Sequence, residues 1–107
     1  MGTTETPIQN RIRVACSKYG VCFRQQSGVF MTMYGEKVKI GIDGLSDLLF
    51  VGQGFVIFFE VKSAKGRASD AQKNFLQVMR EYGHRAEIVR SPEEAVQIIQ
   101  EEIKKRS

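Results

Sequence analysis

The chain is poor in the features that would assign it to a membrane, a secreted scaffold or a zinc site. No apolar run is long enough to cross a bilayer, the longest lying near residues 55 to 59. Met1-Gly2-Thr3-Thr4-Glu5 lacks the charged-then-apolar pattern of a signal peptide, so the expected location is cytoplasmic. The 2 cysteines, Cys16 and Cys22, are too few and wrongly arranged for structural zinc. One falls on a helical face and the other in the following strand, as two buried, reduced thiols would. The single histidine, His84, follows Gly83 at a helix end, far in sequence from the acidic motif described below. A place beside a helix C-terminus is sufficient reason for it. Internal repeats, low-complexity stretches and linkers are absent, and 107 residues suit one domain, 1–107, with a modest core.

The net charge of +4 is compatible with a polyanionic partner without establishing one. Lys104-Lys105-Arg106 suits a helix C-terminus, where cations meet the negative end of the dipole. A basic segment of Lys62, Lys65, Arg67 and Lys73 is more informative, because it follows an acidic motif directly.

Periodicity predicts the order α-β-β-β-β-β-α-β-α, an α/β fold with helices around a central mixed sheet. Ile8, Ile12, Ala15, Cys16 and Tyr19 mark one face of a helix over 6–19. Thr6 is its expected N-cap, Pro7 its first residue, Gln9 a cap partner and Gly20 its stop. Strands are expected at 21–24, 29–34 and 38–40, then a Gly-rich loop at 41–44. A second helix starts from Ser69, with Gln72 at the capping-box position, and ends at Gly83. Its expected core face is Ala71, Phe75, Val78, Met79 and Tyr82. Residues 85–89 read as a strand. Ser91-Pro92-Glu93-Glu94 opens a last helix to about Lys105 on an Ala95, Ile99, Ile103 face.

Residues 47–62 carry the chemical signal. Asp47-Leu48-Leu49-Phe50-Val51 and Phe55-Val56-Ile57-Phe58-Phe59-Glu60-Val61-Lys62 flank Gly52-Gln53-Gly54, the pattern of a hairpin of buried strands. Alternation puts Glu60 and Lys62 on one face, and the hairpin brings Asp47 towards Glu60. Charges on so apolar a hairpin are costly unless they serve a purpose. One purpose is to hold a hard cation such as Mg²⁺. Asp47 and Glu60 would give carboxylate oxygens, the main-chain carbonyl of Val61 a third, and water the rest. Lys62 would then orient or help deprotonate a water, or neutralise charge on a phosphoryl transition state. The other reading is a buried ion pair without catalysis, although such pairs stabilise poorly compared with apolar replacements.

The spacing Gly44-x-x-Asp47, twelve residues, then Glu60-x-Lys62 resembles the PD-(D/E)xK nuclease superfamily. The surrounding residues narrow the resemblance to small stand-alone VRR-NUC domains, the virus-type replication-repair nucleases. The matching features are the first helix with Ile8-Gln9, Phe23-Arg24-Gln25-Gln26-Ser27-Gly28, Gly44-Leu45-Ser46-Asp47-Leu48, Glu60-Val61-Lys62, and Gly66-x-x-Ser69-x-x-Gln72 before an amphipathic helix. Together they span roughly residues 5 to 100. Asp43 departs from the pattern, standing where the family often has proline; it reads as a solvated loop carboxylate or as a metal-adjacent group.

The resemblance implies a PD-(D/E)xK nuclease-like sheet, Asp47 and Glu60 as metal ligands and Lys62 as the catalytic lysine. Gln72 resembles a helix glutamine near the active site, a role compatible with capping. Gln9, or Glu5 as the acidic alternative, would be a further ligand from the first helix. Arg24, Ser46, Lys65, Arg67 and Lys73 would contact DNA, though Arg24 reads equally as an idle strand arginine. The expected function is Mg²⁺- or Mn²⁺-dependent endonuclease action on branched DNA, four-way junctions first, in a bacterial or phage-infected cell. Alternatives are a non-catalytic DNA-binding subunit or a nuclease for flap or plain duplex DNA. A base-reading restriction enzyme fits less well, since 107 residues leave little room for a reading element. Two symmetric cuts call for a C₂ homodimer. The candidate interface is 28–40, with Val29, Phe30, Met31 and Met33; its alternative is a hairpin packed in the monomer core. Phe30, Tyr34, Met31, Met33 and Met79 are expected in core or subunit contacts rather than stacked on bases.

Overall fold

The computed structural model describes residues 5–26 and 28–107. Ser27 and residues 1–4 lie outside the described residues. The elements are α1 (Glu5–Cys16), β1 (Val21–Arg24), β2 (Gly28–Met31), β3 (Lys37–Ile40), β4 (Leu48–Val51), β5 (Val56–Val61), α2 (Asp70–Glu81), β6 (Arg85–Val89) and α3 (Pro92–Arg106). This is the order that periodicity predicts.

Four strands form a mixed sheet in the order β1-β4-β5-β6. β1 and β5 flank β4 antiparallel, and β6 joins β5 in parallel across α2. β2 and β3 stand apart as a two-stranded ribbon, so the central sheet has fewer strands than the chain. The strand expected over 29–34 ends at Met31. There the Thr32 hydroxyl oxygen accepts from the backbone N–H groups of Tyr34 and Glu36, turning the chain.

Strand alternation divides the core. Leu48, Phe50, Ile57, Phe59, Val61 and Val89 pack with Ile12 and Cys16 of α1 and Ala95 and Ile99 of α3. Phe58 and Ile88 point the other way, against Phe75, Leu76 and Met79 of α2. Phe50 and Phe59 are fully buried, and each contributes about 1.5–3 kcal/mol by leaving water.

The helices differ from expectation at their ends. α1 already includes Glu5, so Thr6 is not its N-cap, and Pro7 lies inside the first turn. Proline fits there because those N–H groups lack intrahelical acceptors in any case. α2 keeps the expected box: the Ser69 hydroxyl accepts from Gln72 N–H, and Gln72 Oε1 accepts from Ser69 N–H. Its core face is rotated from the expected one. Leu76 is buried, whereas Ala71 and Tyr82 at the two ends are exposed. In α3, Ile103 is 41% exposed while Glu102 is buried. Arg85, Lys105 and Arg106 all reach the Glu102 carboxylate, which supplies the partners a buried charge requires.

Candidate active site

The β4–β5 turn sets the site's geometry. Gly54 adopts φ +88°, and Gly52 N–H donates to the Phe55 carbonyl. The resulting register pairs Leu48 with Phe59 and Val51 with Val56. One step beyond Leu48↔Phe59 sets Asp47 opposite Glu60. Both lie on the α2 side of the sheet, because Leu48 and Phe59 turn into the α1–α3 core. Lys62 follows on the same side, its N–H donating to the Val89 carbonyl and continuing the β5–β6 pairing by one residue.

Asp47, Glu60 and Lys62 are therefore brought together as the sequence predicts. Asp47 Oδ2 accepts from Val61 N–H at 2.7 Å, and the Asp47 carbonyl accepts from Gln25 N–H. Lys62 Nζ lies 3.5 Å from Glu60 Oε2. Glu60 is 1% exposed, and among the described residues neither of its carboxylate oxygens has a hydrogen-bond partner. Burial, and then the neighbouring Asp47 charge, push the Glu60 carboxyl up from 4.5 to about 8; Lys62 opposes them. Burial also raises Asp47, with Val61 N–H as the main opposing influence. Two ionised carboxylates are both acceptors and repel each other, which favours a proton on Glu60 against the pull of the Lys62 ammonium.

These groups fit a hard divalent ion. The orphaned Glu60 oxygens and the adjacent Asp47 are the donor type Mg²⁺ or Mn²⁺ selects. Among the described residues no group of three or more His, Cys, Asp or Glu side chains is placed to hold a metal. Side-chain carboxylates alone would thus leave positions for a main-chain carbonyl, such as that of Val61, and for water. Of the two α1 alternatives, Glu5 stands near the site: its charge raises Asp47, and its Oε2 lies 3.2 Å from where a Cβ on Gly66 would be. Gln9 is half-buried one turn further along α1.

The remaining candidates differ in exposure and in partners. Lys65, Arg67 and Lys73 are exposed and form no ion pair among the described residues. Arg24 is exposed and donates to Asn10 Oδ1 at 3.1 Å, an amide rather than a carboxylate. Ser46, expected at the DNA, is instead 1% exposed; its hydroxyl accepts from Gln25 Nε2 and braces the approach to Asp47. Gln72 Oε1 is committed to the cap. Its helix turn still reaches the site's support, because a Cβ on Gly44 would lie 2.1 Å from the Ala71 carbonyl oxygen. Only a glycine, here at φ +76°, lets the loop before Asp47 approach α2 so closely. Asp43 is solvated and paired with Lys39 at 3.0 Å. His84 sits at the opposite end of the sheet, beside Phe58.

Sequence reasoning missed Arg90. Its Nη1 donates to the carbonyls of Ser63 and Gly66, closing the turn that follows Lys62. The lone signal is an arginine just after an apolar strand, which is weak. Gln25, quoted within a motif but given no role, is the second brace of the Asp47 segment.

A family model, the VRR-NUC domain, matches residues 11–93, which include Asp47, Glu60, Lys62 and Arg90. No curated protein matches the chain. The mixed sheet flanked by helices is consistent with a nuclease-like fold, and the chain belongs to the VRR-NUC family of virus-type replication-repair nucleases.

Proposed function

We propose that this protein is a divalent-metal-dependent endonuclease that hydrolyses phosphodiester bonds in branched DNA, with four-way junctions as the leading substrate. The observation that carries this reading is that the buried Glu60 carboxyl, opposite Asp47, has among the described residues no hydrogen-bond partner and only the Lys62 ammonium, 3.5 Å away, as an ion-pair contact. Two buried carboxyl groups side by side raise each other's cost, and one ammonium at 3.5 Å leaves the pair under-satisfied for a purely structural role. Asp47 and Glu60, with the Val61 carbonyl, would hold Mg²⁺ or Mn²⁺. When bound, such an ion polarises the scissile phosphoryl group and neutralises its charge. Lys62, next to Glu60, orients the attacking water and stabilises negative charge gathering on the phosphoryl oxygens. Water adds at phosphorus as the P–O bond to the leaving strand breaks. Lys65, Arg67 and Lys73 supply phosphate contacts beside that point.

A C₂ homodimer completes the proposal, since paired incisions need two such sites. The β2–β3 ribbon supports it. Val29, Met31, Met33 and Tyr34 are at least 63% exposed, and Phe30 is 46% exposed. Those side chains are not in the monomer core, which removes that alternative, and a lone two-stranded ribbon is marginal in water. Met79, by contrast, packs in the α2 core.

The test is a panel of labelled four-way junction, fork, flap and linear duplex of matched sequence, digested with Mg²⁺ or Mn²⁺ at one salt concentration. Paired symmetrical nicks on the junction are the expected result. Equal cleavage of linear duplex contradicts the structure preference, and DNA binding without any cutting contradicts catalysis.

A further inference from the structure

The charges of this chain are unevenly distributed. From Glu5 to Asp43 six cations, Arg11, Arg13, Lys18, Arg24, Lys37 and Lys39, face three acids, Glu5, Glu36 and Asp43, the last paired with Lys39. From Glu81 onward six glutamates stand against five cations, and Arg85, Lys105 and Arg106 are tied into glutamate pairs there. Three of these cations, Arg11, Arg13 and Lys18, lie on the outer side of α1 and the turn after it. α1 buries Ile12 and Cys16 and turns Asn10, Arg11, Arg13 and Val14 to solvent, Val14 at 70% exposure.

This face has two basic flanks. Arg11 and Lys18 lie along one groove with Asn10 and Val14, and Arg13 borders another that runs to Cys22 of β1. Arg11, Arg13 and Lys18 form no ion pair among the described residues. Arg24 joins the second flank through its bond to Asn10 Oδ1. Arg11 and Arg13 lie within α1 and Lys18 in the turn just after it, all three exposed. The start of α1 lies at the candidate active site, where Glu5 approaches Gly66, between Lys65 and Arg67.

We propose that the outer face of α1 is a second DNA-backbone contact, in which Arg11, Arg13 and Lys18 grip phosphates of a duplex arm leading away from the cleavage point. The occupant follows from charge: exposed guanidinium and ammonium groups without ion pairs among the described residues, on a helix whose start approaches the basic turn at 65–67, suit a polyphosphate track. This inference rests on the DNA-nuclease reading and extends it from the cut site to the arm.

The test compares wild type with Arg11→Ala/Arg13→Ala/Lys18→Ala and with the distant control Lys104→Ala. Binding of labelled four-way junction and linear duplex is measured by anisotropy in Ca²⁺ over 50–300 mM KCl, and cleavage in Mg²⁺. Alanine favours the helix, so the triple variant should fold, which far-UV circular dichroism checks. The proposal expects the log–log salt slope to flatten by about 0.9 per lost contact, with about tenfold weaker binding at 100 mM salt. In cleavage the loss should appear as a raised KM, and Lys104→Ala should keep the wild-type slope. A folded triple variant with wild-type affinity and slope, while wild type cuts DNA, overturns this proposal alone. Wild type that binds no DNA overturns it together with the reading on which it rests.

Discussion

At the residue scale, the proposed metal-ligand role of Glu60 and its contribution to stability pull in opposite directions. Its carboxyl titrates near 8 rather than 4.5, so the folded, metal-free protein binds more protons than the unfolded chain between those values. Stability contributed through this group therefore falls as pH rises across that window. The metal-free melting temperature should decline from pH 5 to pH 8, and Glu60→Gln should flatten the decline and melt higher than wild type at pH 8. The same substitution should abolish cleavage and the upward melting shift caused by Mg²⁺ or Mn²⁺; for wild type at one hundred times Kd that shift corresponds to about 2.7 kcal/mol. Thermal melts at several pH values, with and without metal, check both effects. A wild-type profile that rises with pH, or a Glu60→Gln protein that still gains stability from metal, would contradict the account of this residue.

At the scale of elements, the site depends on how closely its neighbours approach. Gly44→Ala would place a Cβ 2.1 Å from the Ala71 carbonyl oxygen at a φ that L side chains rarely adopt. It should lower stability by at least about 1–3 kcal/mol, readable as a lower urea midpoint. Arg90→Ala should free the Ser63 and Gly66 carbonyls and lower kcat/KM by moving Lys62, with Arg90→Lys recovering only part, since one ammonium cannot reproduce the guanidinium fork. Steady-state kinetics of the two variants test this, and a wild-type kcat/KM in Arg90→Ala would remove Arg90 from the positioning role. Local pattern made much of this legible. The Ser69–Gln72 box, Ser91-Pro92 and the Gly52–Gly54 turn each specify an element from neighbouring residues, and the hairpin register follows from alternation. Long-range effects were not legible. Arg90 meets the turn after Lys62 only because β6 pairs in parallel with β5, and Ser46 is buried only because Gln25 reaches it from beside β1. Nothing periodic in 28–40 distinguishes a ribbon that leaves the sheet from strands that join it.

At the scale of the molecule, an apolar ribbon and a basic helix face stand exposed among the described residues. If the ribbon is the subunit contact, sedimentation at micromolar concentration should give a dimer, and Phe30→Glu/Met31→Glu should give monomers that retain the metal-induced melting shift. A strictly monomeric wild type that still cuts both strands would defeat the dimer. The sharpest test of the central claim, that Asp47, Glu60 and Lys62 form a metal-dependent nuclease centre, is a single cleavage assay on four-way junction DNA. It compares wild type with Asp47→Ala, Glu60→Ala and Lys62→Ala, each with Mg²⁺, Mn²⁺ or EDTA. The account predicts cutting by wild type only when metal is present, and a rate at least about 100-fold lower in each variant. Equal activity in all four proteins, or undiminished wild-type cutting in EDTA, would contradict it.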